Sequence, residues 1–326
     1  MEEEYKVKQI QPAHADHVSH YKDKWLNDMF YTDSVIAQRK YDGERMLIHF
    51  NKSEVYCTSR RFSKKTGRYM ENQSRIKDLP HLQNFDYTVI DCECYADTWS
   101  EAASILHSLP ERAIELQKTI NLRFAVFDCL FFNGIDIRER PYCDRFNMIA
   151  GLLALINDNR FHIADSFLCT SIDDMKHLAK QQWDMGNEGI VVKSLRKKYY
   201  DVGAMIKVKR FETVDCIVYD YQQGRGKYCN TVGALLVGYY DKDADEVIHC
   251  SKVNCGTDND RNWWKEYFDK YSTSIGNMHV LTRDKLLVVE LKCQEVTDRS
   301  LRHPIYIRLR QDKSYKMCTK ETIFKE

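Results

Sequence analysis

The sequence predicts an α+β protein in two parts: antiparallel sheets with flanking helices over residues 1–211, then a small closed β-barrel over 212–326. Three observations lead there. The chain has 326 residues, and domains run to roughly 100–200 residues each. Strand-like and helix-like runs interleave irregularly up to Arg210, which argues against strict βαβ winding. Beyond Arg210 strands dominate, with one helical run among them.

In the first part strands are expected at 35–38, 46–50, 55–58, 87–92 and 122–127, where β-branched and aromatic residues gather. Helical patterns fall at 101–109, 111–120, 145–156 and 171–185. The last opens with Ser171 and Asp174 at the spacing of a capping box. In the second part strands are expected at 214–221, 234–240, 246–253, 285–295 and 304–309, and a helix at 260–271. Five short strands and one helix suit an OB-fold barrel. The change of texture places the boundary near 210–213.

Composition excludes several classes. Hydrophobic residues make up 43% and charged residues 30%, an ordinary globular balance. The longest apolar run, Met148 to Ile156, is far short of the ~20 residues needed to cross a bilayer. The opening Met1-Glu2-Glu3-Glu4 is acidic, unlike a signal peptide. Twelve cysteines occur without a Cys-x-x-Cys pair, so reduced structural thiols in a cytoplasm are expected rather than disulfides or zinc. With 49 basic and 48 acidic residues the net charge is only +1. Any nucleic-acid surface must therefore be local. The runs Arg60 to Arg68, Lys193 to Arg210 and Arg302 to Lys313 are candidates, and each fits a plain solvated face as well.

The sharpest motif is Lys40-Tyr41-Asp42-Gly43-Glu44-Arg45, between two expected strands. Asp42-Gly43 alone reads as a hairpin turn. A lysine two residues before it and an arginine two residues after it need a further reason. Lysine is a nucleophile only when neutral, against a free pKa of ~10.4, so cations or desolvation must act on it. Further along come Asp91-Cys92-Glu93 and Phe127-Asp128 at strand ends. Glu188-Gly189-Ile190-Val191-Val192-Lys193 follows, then Lys207 and Lys209 on one strand face, and Arg308 to Lys313.

In this order the segments resemble the six signature motifs of the covalent nucleotidyltransferases, most closely the ATP-dependent DNA ligases and among them the small viral and bacteriophage enzymes. The resemblance runs from about residue 36 to 313. It implies a nucleotidyltransferase (ATP-grasp-like ligase) domain followed by an OB-fold, and sealing of 3′-OH/5′-phosphate nicks through lysine–AMP and DNA–adenylate. Lys40 would attack the α-phosphorus of ATP, with Asp42 in the same catalytic motif. Arg45 and Glu93 would contact the ribose, Phe127 would stack on adenine, and Gln38 or its backbone would read the adenine edge. Glu188, with Glu93, would hold Mg2+ or Mn2+. Lys207 and Lys209 would neutralise the α-phosphate. Arg310 and Lys313 would orient pyrophosphate, assisted by Asp312. Arg60 matches the position that touches the 5′-phosphate, and Lys64 lies in the same basic run.

The implied partner is nicked duplex DNA, with no membrane, a monomeric state, and a cytoplasmic location, the host's if the source is viral. Three departures stand out: Cys92 where a glycine is common, Met205 where an aromatic is common, and a short 193–207 stretch. Only 39 residues precede Lys40, and Arg45 stands where alanine is common in NAD-dependent ligases, so ATP is favoured over NAD. Capping guanylyltransferases and RNA ligases share the Lys-x-Asp-Gly core. A catalytically silent DNA-end-binding protein of the same fold is the rival from another class.

Overall fold

The computed structural model describes residues 9–324, apart from 53, 83–84, 277 and 298–299. The chain divides into two compact units, one ending at Lys209 and one beginning at Arg210. That division lies two residues before the expected 211/212 boundary.

The described residues of the first unit form strands β1 (Asp16–His17), β2 (Val35–Lys40), β3 (Glu44–Phe50), β4 (Val55–Ser63), β5 (Arg68–Glu71) and β6 (Thr88–Tyr95). They continue with β7 (Arg123–Phe132), β8 (Ile135–Asp136), β9 (Phe161–Ile163), β10 (Ser166–Leu168), β11 (Gly189–Ser194) and β12 (Met205–Lys209). The helices are α1 (Asp23–Asp33), α2 (Trp99–Leu106), α3 (Pro110–Leu116), α4 (Tyr142–Ile156) and α5 (Ile172–Asp184).

Two sheets result. One runs β1-β12-β11-β2-β10, the other β5-β4-β3-β6-β7-β8 with β9 beside β7. Pairing is antiparallel except for β1–β12 and β7–β9, which are parallel and depart from the all-antiparallel expectation. Helix α4 packs on the second sheet, burying Ile149, Leu152 and Ile156 with Ile48, Ile90 and Phe124. Helices α1 and α5 cover the first, burying Leu26, Met29, Met175 and Ala179 with Ala37 and Ile190.

The Asp42-Gly43 step is not a hairpin. β2 and β3 lie in different sheets, so this tight connection crosses between them. Gly43 is needed there because a Cβ would sit 2.2 Å from the Cys94 carbonyl oxygen of β6. The capping box expected at α5 is half formed: Ser171 accepts from the Asp174 N–H, but the Asp174 carboxylate turns to Thr170 instead. Helix α1 escaped the sequence reading because only Leu26 and Met29 are buried and no side chain caps its start.

The second unit holds β13 (Glu212–Gln223), β14 (Val232–Asp241), β15 (Glu246–Val253), helix α6 (Asp258–Tyr271), β16 (Ser272–Ile275) and β17 (Met278–Leu281). It ends with β18 (Leu287–Cys293), β19 (Glu295–Val296), β20 (Leu301–Arg302), β21 (Ile305–Arg310) and the short α7 (Lys320–Ile323). The main sheet runs β15-β14-β13-β18-β21, antiparallel throughout. Val214, Cys216, Leu235, Val289 and Leu291 close over Trp264 and Phe268 of α6. This curled sheet with α6 packed on it is the OB-fold arrangement. Among the described residues its end strands share no ladder; the Asn254 side chain accepts from the Tyr306 N–H across the gap, 3.4 Å. The strand expected at 285–295 is shorter, because a 3-10 turn occupies Arg283–Lys285.

All twelve cysteines are free, and only Cys229 is exposed. No described helix is long and apolar enough to cross a membrane.

Candidate active site

Register brings the first group of site residues together. Gly189 of β11 pairs with Lys40 on one side and with Lys209 on the other. A Cβ at Gly189 would lie 2.2 Å from the Val208 carbonyl oxygen, and its φ is +141°, so glycine alone suits this close approach. Glu188, just before it, is thereby delivered between two lysines. Its Oε2 lies 2.5 Å from Lys40 Nζ, and its Oε1 pairs with Lys209 Nζ. Burial works to raise the Glu188 carboxyl, but Lys40 and Lys209 outweigh it and hold it below its ordinary value. Burial and then the charge of Lys40 press the Lys209 ammonium down. Lys207 is pressed down by burial, by Lys40 and by Arg60.

The second group lies on the β3–β6–β7 surface. Arg45 faces Glu93 across β3 and β6, with Asp91 two residues along the same strand face. Arg45 makes a bidentate pair with the fully buried Asp91, Nε–Oδ1 2.9 Å and Nη2–Oδ2 2.5 Å. Tyr199 completes it. Its hydroxyl donates to Asp91 (2.6 Å) and accepts from Arg45 Nη2 (3.1 Å) and from the Ala13 N–H (3.2 Å). Glu93 has its carboxyl pushed up to about 7, chiefly by burial, with Lys40 and Arg45 pulling the other way.

Phe127 is flanked by cations: Arg45 is 5.3 Å and Lys193 Nζ 4.2 Å from its ring centre. Burial pushes the Lys193 ammonium down to about 7. Gln38 is buried, not a sheet-surface residue. Its Nε2 donates to Ser166 Oγ (3.0 Å), and its Oε1 lies 3.3 Å from the Tyr142 hydroxyl.

Arg60 and Lys64 are exposed, Arg60 on β4 and Lys64 in the turn before β5. Arg310, Asp312 and Lys313 form a separate cluster in the second unit. Arg310 grips Asp312 through Nε and Nη2, each 2.9 Å. Its Nη1 and the Lys313 ammonium both reach Asp215 of β13, at 3.1 and 2.9 Å.

Lys40, Glu188, Lys207, Lys209, Glu93, Arg45 and Phe127 thus belong to one neighbourhood built from two sheets, joined by the Asp42-Gly43 crossing. Asp91, Tyr199 and Asp215 were given no role from the sequence, and Lys193 stood there only as the lysine that ends its motif. Asp91 had a legible signal, since it alternates with Glu93 on one strand face. So had Asp215, the lone acid in the apolar run Val214 to Val218. Tyr199 had none, because its partners are distant in sequence.

For a metal, two carboxylates are at hand. Glu188 acts on Glu93 through its charge, and no described group of three or more metal-type side chains occurs. A magnesium ion that keeps several waters and takes substrate phosphates needs no more than one or two carboxylates. The pair fits such an ion.

A family model described as the ATP dependent DNA ligase domain matches residues 14–209, and one described as the ATP dependent DNA ligase C terminal region matches 229–313. A DNA ligase of Caldivirga maquilingensis is 27% identical over 93% of this chain and 53% of its own length. DNA ligase 1 of Drosophila melanogaster is 24% identical over 87% of this chain and 44% of its own. The chain spans about half the length, or less, of these curated relatives. A solved structure from work on DNA binding by Lig E DNA ligases shares the fold, with a TM-score of 0.64 and 19% identity, covering 92% of this chain and 99% of that one. Another, called Pmar-Lig_Pre, has a TM-score of 0.68 at 17% identity, over 93% of this chain and 68% of that one.

Proposed function

Because the chain belongs to the ATP-dependent DNA ligase family, we propose that it seals 3′-OH/5′-phosphate nicks in duplex DNA, taking AMP from ATP onto Lys40. The observation that carries this reading is the Lys40–Glu188–Lys209 array at the end of β2. Its lysine, partly buried at the strand end and paired with a carboxylate, is held where its amine can be aimed at a ligand.

In the first step the Lys40 amine attacks the α-phosphorus of ATP. A nitrogen–phosphorus bond forms, and the bond to pyrophosphate breaks. Lys207 and Lys209 stabilise charge on the α-phosphate, while Arg310 and Lys313 orient the departing pyrophosphate with help from Asp312. Phe127 offers its ring to adenine, and the Gln38 amide offers the base its remaining N–H. Arg45, locked by Asp91 and Tyr199 two residues past the crossing, faces the ribose together with Glu93, and Asp42 serves in the same motif. In the second step the DNA 5′-phosphate takes AMP from Lys40. In the third, the 3′-hydroxyl attacks that phosphate and AMP leaves.

Glu188 and Glu93 would hold a magnesium or manganese ion, which when bound supplies Lewis-acid stabilisation of phosphate charge. Arg60 and Lys64 would contact DNA phosphates. The free buried thiols suit a reducing cytoplasm.

The test is incubation with ATP or GTP labelled at the α-phosphate, then a denaturing gel, then addition of nicked duplex. Covalent AMP label that is discharged as the nick closes is expected. GMP label would indicate a capping-type enzyme, and absence of label a silent DNA-end-binding protein; either overturns the reading.

A further inference from the structure

We propose that Asp215 is a positioning residue for the transfer of AMP to Lys40, acting by holding Arg310 and Lys313 as one cationic unit toward pyrophosphate. This rests on the pyrophosphate role given to those two residues above.

The sequence of β13 makes Asp215 unusual. Val214, Cys216 and Val218 turn into the apolar core of the second unit, so Asp215 and Ile217 face the other way. On that opposite face Asp215 pairs across the sheet with Glu290 of β18, and Glu290 with Arg308 of β21. Two carboxylates side by side would repel each other unless each had its own cation. Glu290 takes Arg308 at 2.6 Å. Asp215 takes two cations: Arg310 Nη1 lies 3.2 and 3.1 Å from its two oxygens, and Lys313 Nζ 2.9 Å from Oδ2.

The two carboxylates on Arg310 differ in kind. Asp215 sits mid-strand with a side chain 16% exposed, whereas Asp312, just past the strand end, is 66% exposed. Asp312 covers the Nε/Nη2 edge of the guanidinium, the edge whose geometry matches two phosphate oxygens. An exposed counterion on a turn can yield that edge to a phosphate at small cost. The strand-borne one has its backbone fixed by the ladder and its carboxylate held by two cations. Asp215 therefore fixes Nη1 and the Lys313 ammonium together, leaving the fork of Arg310 and the remaining Lys313 donors to be presented as a set. Without it, two flexible cations would repel and spread, and the geometry needed in the transition state would be found less often.

The experiment compares Asp215→Asn, Asp215→Glu and Arg310→Ala in the full chain. Three quantities are measured: lysine–AMP formation from ATP, sealing of a nick that already carries AMP, and the apparent affinity of adenylylated protein for pyrophosphate in the reverse reaction. Residues that orient metal ligands typically count for ~10–100-fold, and an effect of similar size is expected for one that orients a pair of cations. Asp215→Asn should lose about that much in lysine–AMP formation and bind pyrophosphate more weakly. It should still seal pre-adenylated nicks near the wild-type rate, and Asp215→Glu should recover part of the loss. Equal loss of both steps, or no loss of either, overturns the inference, even for a variant that melts normally. If Arg310→Ala is step-selective and Asp215→Asn is not, only the role of Asp215 fails. If Arg310→Ala is itself not step-selective, the pyrophosphate reading fails and Asp215 falls with it.

Discussion

The Lys40 ammonium lies 2.5 Å from the Glu188 carboxylate, with Lys209 on the other oxygen of the same group. The proposed nucleophile is thus held in an ion pair that steers it. Replacing Lys40 by Arg keeps the pair with Glu188 but supplies a group that stays protonated. Lys40→Arg should fold with a near-wild-type melting temperature and take no AMP label from ATP. Labelling near the wild-type rate would require another nucleophile.

Gly43 marks the point where the chain passes from one sheet to the other. A methyl group there would meet the Cys94 carbonyl at 2.2 Å, a backbone atom that cannot swing aside. Gly43→Ala should cost about 2 kcal/mol or more, as overpacking does. Since Lys40 and Arg45 flank the crossing, lysine–AMP formation should fall with it. A urea midpoint within experimental error of wild type would contradict this account.

Glu93 gives a pH dependence whose sign can be worked out. Its carboxyl is pushed up to about 7, chiefly by burial, against an ordinary 4.5. Between those values the folded protein holds a proton that the unfolded chain has released. Stability therefore falls as pH rises through that window and levels off above it. Glu93→Gln lacks the ionisation, so the wild type should lose about 2–3 kcal/mol relative to the variant between about pH 5 and pH 8. His49 shifts in the opposite direction, down to about 3, so the difference between the two proteins is the quantity to measure. A difference that stays flat with pH would mean Glu93 is ionised throughout.

How much of this was legible depended on whether a feature was local. Strands of β-branched and aromatic residues were readable, as were the lysines of β12, because period-two alternation is written along the chain. The Asp42-Gly43 step was misread because its local signal is that of a hairpin. What decides against one is that β2 pairs with β10 and β11 while β3 pairs with β4 and β6, and such pairings are nonlocal. Tyr199 was invisible for the same reason: its hydroxyl joins Ala13, Arg45 and Asp91, each far away in sequence. Gln38 falls within an expected strand, but the burial that commits its amide to Ser166 comes from β10, a short strand with no clear signal along the chain.

Replacing Arg60 tests whether binding of nucleotide and binding of DNA can be separated. It is exposed on β4, followed by Arg61, Lys64 and Lys65 on the way to the β5 turn, where phosphate contacts would position a duplex without reading its sequence. It also acts on Lys207, but only after burial and Lys40. Burial and Lys40 still press on that lysine when Arg60 is removed, and Arg60 is not among the leading causes acting on Lys209 or Glu188. Arg60→Ala should accordingly form lysine–AMP within about twofold of wild type, the factor expected when a lost interaction is worth less than ~0.5 kcal/mol. Binding of nicked duplex should weaken, and its log–log salt dependence should become shallower by about one, the signature of one lost phosphate contact. Sealing should slow in proportion to the binding loss at low DNA concentration and recover at high concentration. If lysine–AMP formation fell as far as sealing, Arg60 would be part of the nucleotide site. An unchanged salt dependence would remove it from the DNA surface altogether.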